Sequence, residues 1–230
     1  MTTTDGGPPL AVEGLRKGYR RGVVLNDVSF ALRPGEAVAL LGCVPGDRLP
    51  DRGQVRLCGH DPFADPVAAA GCIGFVPEQP FLYGELTVGE FLQFVAAARR
   101  MDASHARAEC DRLLELLGLT GAEGMLCREL SQGMGRKTAI IAALLHRPRA
   151  LLLDEALNGL DRTSAERLIG ELDARRAAGA AVLISSHDLD FIGAWCGRGL
   201  LLRPGGVWRM LEGEAWKAWR RAPSLSPEGD

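Results

Sequence analysis

Two neighbouring segments of this chain, a helix start and an apolar run that ends in two carboxylates, restrict its fold most strongly. The helix start is LSQGM at residues 130–134, and the apolar run at residues 151–153 is followed by Asp154 and Glu155. A short buried strand that ends in carboxylates is typical of α/β sheets, which bind ligands outside the carboxyl ends of their strands. The two segments therefore predict an α/β fold with a polar crevice at one sheet edge.

One common phosphate-binding loop of nucleotide-binding α/β proteins is missing from the chain. That loop has the pattern G-x-x-x-x-G-K-[ST] and follows an early strand. The lysines of the sequence are Lys17, Lys137 and Lys217, and each follows an arginine or a tryptophan instead of a glycine. A functional interpretation must therefore explain both the segments that are present and the loop that is absent.

Composition and charge narrow the classes of function. The chain has 230 residues, of which 47% are hydrophobic and 24% charged, as expected for one large domain or a core with a small subdomain. Its net charge of −2 gives no electrostatic reason to expect nucleic acid as a partner. The six cysteines form no C-x-x-C pair, which predicts reduced thiols in a cytosolic protein.

The two ends of the chain differ from the middle in composition. We predict a flexible leader at residues 1–9, an α/β core at 10–76 and 131–215, a helical subdomain at 77–130 and a C-terminal tail at 216–230. The leader has neither the basic nor the apolar stretch of a signal peptide. No apolar run has the length of a membrane span, so contact with a membrane requires a partner.

The segment between two predicted strands of the core is too short for a helix. These strands lie at 37–41 and 54–58, and the connection at 42–52 contains Pro45 and Pro50. A helical crossover takes about a dozen residues or more, and proline interrupts a regular helix. The connection is therefore predicted to be a loop, with the first helix of the core absent.

Capping patterns predict several helix starts. Residues 87–90 have the spacing of a capping box, Asp102 or Ser104 begins the next helix, and residues 163–166 cap a later one. Ser131 is predicted to cap the helix of the LSQGM segment, where a helix N-terminus also offers an anion site.

The residues at the predicted strand ends suggest specific chemistry, each with a plain alternative. Asp154 suits a Mg²⁺ ion and Glu155 suits orienting or deprotonating a water, although a strand end followed by acidic turn residues is also common. His187 follows an apolar strand and suits contact with a phosphate, although a single histidine is more often a surface or core residue. Tyr19 suits stacking on a base, although a tyrosine in a strand usually packs.

The order and spacing of these segments resemble the nucleotide-binding subunits of ABC transporters over residues 10–215. The resemblance implies a P-loop NTPase-like core, with the signature motif at 130–134, the Walker B strand at 151–154 and the D-loop at 159–161. The LSQGM form and residues 80–88 are most similar to ATPase subunits of ABC-2-type exporters. The site residues that it implies are Glu155 and His187 for catalysis, Asp154 for the metal, and Tyr19, Gly42, Gln79, Ser131, Gly133 and Asp161 for the nucleotide.

The chain departs from the family pattern at several positions. Gly42 stands where the Walker A loop would begin, and the rest of that loop is missing as a block. The register leaves Glu78 or Gln79 for the Q-loop, and the chemistry favours Gln79. Ala156 and Leu157 replace the Pro-Thr that usually follows the catalytic glutamate.

The resemblance also implies cofactors, partners and a location. ATP and Mg²⁺ are the implied cofactors, and the missing loop puts the binding of both in doubt. The implied partners are a membrane permease and a second ABC ATPase subunit, identical or different, in a head-to-tail dimer. The chain would then lie in the cytoplasm, peripheral to the inner face of the cell membrane.

Three hypotheses accommodate the missing loop. The first is a degenerate subunit, poor in ATP hydrolysis alone, that donates its signature motif to an intact partner. The second is an active ATPase whose sequence has lost a segment by deletion or error. The third is a non-enzymatic scaffold or an unstable remnant, because removal of a core helix would expose apolar surface of the sheet.

Overall fold

The computed structural model describes residues 7–19, 22–42 and 49–223. The strands of these residues are β1 (Leu10–Tyr19), β2 (Gly22–Leu32), β3 (Ala37–Leu41), β4 (Arg52–Leu57), β5 (Ile73–Val76), β6 (Ala150–Asp154), β7 (Ala181–Ser185), β8 (Arg198–Arg203) and β9 (Val207–Leu211). The helices are α1 (Pro66–Cys72), α2 (Val88–Ala98), α3 (Ala103–Leu116), α4 (Gln132–Leu144), α5 (Arg162–Ala177), α6 (Leu189–Trp195) and α7 (Gly213–Arg221). Single 3₁₀ turns lie at Cys127–Glu129 and Pro204–Gly206.

The strands form two sheets. The larger sheet has the order β5-β6-β7-β3-β8-β9, and its strands run parallel except for the antiparallel pair β8 and β9. The smaller sheet has the order β2-β1-β4 and is antiparallel. The predicted α/β fold with an antiparallel β region is therefore confirmed.

The two faces of the larger sheet are covered differently. Helices α4, α5 and α6 pack on one face in the main hydrophobic core. On the other face, Val38 and Leu200 are buried in a second cluster with Leu10 and Leu57 of the smaller sheet. Among the described residues no helix lies between β3 and β4, and residues 43–48 of the predicted loop lie outside them.

Direct packing of one sheet on the other limits the exposure that loss of a helix was expected to cause. The central strands β3 and β7 are buried along nearly their whole length. Phe75 on the edge strand β5 is 54% exposed, whereas its register partner on β6, Leu152, is half-buried. Apolar exposure is thus found at the edge of this sheet and not at its centre.

The predicted capping box of the helical subdomain is present at the start of α2. The hydroxyl of Thr87 accepts the backbone N–H of Glu90 at 3.2 Å, and the carboxylate of Glu90 accepts the backbone N–H of Thr87 at 2.8 Å. Asp102, one of the two predicted candidates, caps α3. Local sequence therefore determines both helix starts.

Loss of the capping hydroxyl should destabilise the protein measurably. Thr87→Ala is expected to lower the free energy of unfolding by about 1 kcal/mol, because the backbone N–H of Glu90 loses its acceptor and the carboxylate of Glu90 loses the hydroxyl that donates to it. Urea denaturation would measure the change. Thr120→Ala is the matched control, since Thr120 is exposed in the same subdomain and caps no helix. Equal midpoints for the two variants would contradict the prediction.

The predicted boundaries at the two ends of the chain need correction. Residues 216–230 were expected to form a tail, but α7 extends to Arg221 and buries Trp216 to 3% exposure. The indole of Trp216 donates to the carbonyl oxygen of Cys196 at 3.0 Å, which fixes α7 on the core. At the other end, Pro9 is buried, and its carbonyl accepts the N–H of Cys58 at 3.1 Å. Residues 1–6 and 224–230 lie outside the described residues.

Among the helices that the structure describes, none combines the length and apolar character needed to cross a bilayer.

Candidate functional site

The parallel register brings the predicted metal ligand and a serine together at the carboxyl edge of the sheet. Asp154 ends β6 directly opposite Ser185, which ends β7. The hydroxyl of Ser185 donates to Oδ1 of Asp154 at 2.6 Å and accepts the backbone N–H of Glu155 at 3.0 Å. One hydroxyl therefore orients the carboxylate of Asp154 and anchors the backbone that follows. Sequence reasoning missed Ser185, although its place at the end of an apolar strand was a usable signal.

Glu155 is a buried carboxylate held in one orientation. It is 8% exposed and has a φ of 49°, in the left-handed region that side-chain-bearing residues adopt at a cost. Its Oε2 accepts the amide of Asn158 at 2.9 Å and the backbone N–H of His187 at 3.2 Å. The structure thus fixes Glu155 at the sheet edge beside Asp154, and it adds Asn158, which the sequence did not reveal.

The imidazole of His187 lies close to Glu155 but faces solvent. Its Nε2 is 3.6 Å from Oε1 of Glu155, and its side chain is 82% exposed. An exposed ring at this edge can turn toward a ligand without disturbing the core. The two residues predicted to act in catalysis are therefore neighbours.

Helix α4, which begins in the LSQGM segment, contacts the turn after β6. Ser131 caps α4 as predicted, and its hydroxyl accepts the N–H of Met134 at 3.3 Å. A Cβ atom added to Gly133 would lie 3.0 Å from the carbonyl oxygen of Gly159. A larger side chain at position 133 would therefore push these two segments apart.

An ion pair joins the same two segments. Lys137 on α4 donates to Oδ2 of Asp161 at 2.8 Å. Asp161 also accepts the backbone N–H of Ser164, so it is the cap of α5, and the prediction that residues 163–166 form this cap is wrong. The hydrogen bond from Lys137 is the largest of the effects that hold the pKa of Asp161 well below its ordinary value.

Tyr19 and Lys17 lie together at the end of β1. The ammonium of Lys17 is 5.3 Å from the ring centroid of Tyr19. The same ammonium donates to the carbonyl oxygen of Leu49 at 2.6 Å and to Oδ1 of Asp51 at 2.9 Å. Lys17 therefore holds the segment that leads into β4.

Two other predicted nucleotide contacts have different surroundings. Gly42 follows β3 with a φ of 102°, and an added Cβ would lie 2.2 Å from the carbonyl oxygen of Leu202. The close approach of β8 thus requires glycine here for structural reasons. Glu78 and Gln79 are both exposed after β5, so the geometry leaves the choice between them open.

The exposed carboxylate of Asp154 suits a magnesium ion. Asp154 is exposed, and Ser185 bonds to one of its two oxygens. Mg²⁺ typically takes one or two carboxylates and completes its shell with water and phosphate oxygens. In the part of the chain that the structure describes, no cluster of three or more metal-binding side chains occurs. Asp154 would therefore hold the ion together with a bound phosphate.

Comparison with known proteins connects this geometry to a family. The protein-family model described as ABC transporter matches residues 25–158, which is more than half of the chain. The matched range includes the LSQGM segment, Asp154 and Glu155. The chain belongs to the ABC transporter family. This ABC protein shares its α/β core with solved relatives, including a chain described as an ATP-binding subunit of an ABC transporter, with a TM-score of 0.84, 28% identity and coverage of 94% of this chain and 95% of that one.

Curated relatives of this ABC protein carry transport-related names. It is 28% identical to the SkfA peptide export ATP-binding protein SkfE of Bacillus subtilis over 226 residues, covering 92% of this chain and 94% of that protein. It is 30% identical to the ABC-type transporter ATP-binding protein EcsA of the same organism over 209 residues, covering 86% of this chain and 85% of that protein.

Proposed function

We propose that this chain is the ATP-binding subunit of an ABC-2-like exporter and has lost its own phosphate-binding loop. It donates its signature motif to the ATP held by an intact partner subunit. The name of SkfE, a peptide export protein, supports the export role. The two parts of the proposal have separate support, one for the missing site and one for the retained motif.

The pairing of the three lysines with carboxylates is the observation that carries the first part, the loss of the phosphate-binding loop. All three lysines of the chain lie in the described ranges, and each is paired with a carboxylate, namely Asp51, Asp161 and Glu214. None stands free at the end of β3, where a phosphate loop would place one. Loss of the backbone nest, lysine and hydroxyl of such a loop at a cost of about 4 kcal/mol would turn micromolar binding into millimolar binding. Stacking on Tyr19 would recover only about 1–3 kcal/mol.

The retained motif supports the second part. Ser131 is exposed at the start of α4, where a helix N-terminus attracts phosphate oxygens. The ion pair of Lys137 with Asp161 and the contact of Gly133 with Gly159 keep the signature helix and the D-loop together. In the head-to-tail dimer that the family resemblance implies, both segments would face the partner's nucleotide.

An exposed aromatic cluster supports a permease as the second partner. Phe81 is 78% exposed and packs edge-on against Tyr83 at 5.7 Å, and Tyr83 packs in the same way against Phe94 at 5.4 Å. The cluster lies where the Q-loop segment enters the helical subdomain. We propose that it contacts a membrane permease, which would hold the chain at the inner face of the cell membrane.

Hydrolysis assays test whether the chain has an active site of its own. The purified chain is expected to show no magnesium-dependent ATP turnover, and Glu155→Gln should leave that background unchanged. Glu115→Gln, at an exposed position on α3, is the control for the substitution itself. Magnesium-dependent turnover that Glu155→Gln abolishes and Glu115→Gln does not would contradict the proposal.

One observation favours an active ATPase with a lost segment as the second candidate. The missing residues are confined to one segment at 42–52, while the other motifs remain apart from the milder change at Ala156 and Leu157. An intact G-x-x-x-x-G-K-[ST] segment in an independent reading of the gene would establish this alternative. A broad, non-cooperative melt would instead favour an unstable remnant.

A further inference from the structure

A cluster of five charged side chains joins the helical subdomain to the core. The carboxylate of Glu109 on α3 is 8% exposed and accepts Nη2 of Arg175 on α5 at 2.5 Å. It also accepts hydrogen bonds from Nη2 of Arg112 at 2.9 Å and from Nη2 of Arg147 at 3.0 Å. Arg147 lies in the loop after α4. Glu171 on α5 completes the cluster.

The bonds within the cluster cross between two parts of the fold. Arg112 on α3 forms a two-pronged pair with Glu171, with N–O distances of 2.7 and 2.9 Å. Burial raises the pKa of Glu109, but the arginines outweigh it and lower the pKa to about 2. The cluster is therefore ionised at neutral pH, with three positive and two negative charges.

We propose that Glu109 is a positioning residue that fixes the angle of the helical subdomain on the core. Glu109 accepts hydrogen bonds from both Arg112 and Arg175. The two-pronged pair of Arg112 with Glu171 is a directional contact across the same joint, whereas apolar side chains tolerate sliding. Buried ion pairs add little net stability compared with apolar packing, but removal of one partner leaves uncompensated charge. Nη1 of Arg175 already lies buried without a hydrogen-bond partner, so the cluster has no spare acceptor to compensate.

The charged cluster has members on both sides of the signature motif in the chain, so a change in the cluster would affect the segment that leads into that motif. Ser131 begins α4 directly after the helical subdomain, and Arg147 follows the same helix at its other end. An altered angle at α3 would therefore act on the segment that leads into Ser131, whereas the ion pair of Lys137 with Asp161 holds α4 itself on the core. This consequence rests on the proposed function, whereas the joint itself does not.

Hydrogen exchange of the full chain without nucleotide tests the joint. In Glu109→Gln the amides of α3 are expected to exchange at least about tenfold faster, while those of β6 and β7 keep the wild-type rate. Arg112→Lys keeps the charge but loses the two-pronged geometry, so a smaller increase confined to α3 is expected. Glu115→Gln on the exposed face of the same helix is the matched control and should change nothing.

The outcomes separate a positioning role from a purely stabilising one. If the amides of α3 in Glu109→Gln exchanged at the wild-type rate, the proposal would be overturned. Equal acceleration of α3, β6 and β7 would also overturn it, because the cluster would then act only on global stability. Where Glu109→Gln does not fold, Arg112→Lys decides by the same criteria. Since neither nucleotide nor partner is present, the result is independent of the proposed function.

Discussion

Replacement of Trp216 by alanine is expected to lower the free energy of unfolding by about 3–5 kcal/mol. The indole is buried, stacks on Trp219 with ring centroids 4.8 Å apart, and donates to the carbonyl oxygen of Cys196. It also lies against Gly199 of β8, where an added Cβ would come within 2.5 Å of the ring. The substitution would leave a large cavity and an unsatisfied carbonyl.

Urea denaturation of matched variants measures this effect. Lys217→Ala on the same helix is the control, since its side chain is 61% exposed, and the change should be within about 0.5 kcal/mol. Similar midpoints for Trp216→Ala and Lys217→Ala would show that α7 contributes little. That result would restore the sequence prediction of a tail from residue 216.

Gly133→Asp is expected to reduce ATP hydrolysis about 100-fold in a complex of this chain with an intact ABC ATPase partner. An aspartate at the start of α4 would repel the partner's phosphates, and its Cβ would crowd the carbonyl oxygen of Gly159. The measurement is the turnover rate of the reconstituted complex at saturating MgATP.

The control for this substitution is another helical glycine. Gly170 lies exposed on α5, and an added Cβ would meet no atom within 4 Å. Gly170→Asp should therefore keep the rate of the complex. Equal rates for the Gly133 and Gly170 variants would show that this chain does not present its signature motif to the partner's nucleotide.

The features that the sequence predicted well depend on local patterns. The capping box at Thr87, the cap at Ser131 and the strand that ends at Asp154 all follow from residues close together in the chain. Hydrogen bonds over three or four residues and short apolar runs determine these features. Their identification required no knowledge of which strands are neighbours.

The features that the sequence did not reveal depend on contacts between distant residues. Ser185 acts on Asp154 because β6 and β7 are adjacent in register, which no local pattern states. Glu109 and Arg175 are 66 positions apart and meet only because α3 packs beside α5. The contact of Trp216 with the core could not be predicted locally, since its partner, Cys196, lies 20 positions earlier. The tertiary fold, and not local sequence, determines these contacts.

Calorimetric titration of MgATP into the purified, cooperatively folded chain tests the central claim most directly. The account predicts no binding in the micromolar range and at most weak binding near millimolar nucleotide, because the sequence has no G-x-x-x-x-G-K-[ST] pattern and its lysines are paired with carboxylates. Micromolar binding would contradict the account. It would mean that residues 42–52 hold phosphate in another way and that Asp154, Glu155 and His187 form a working site.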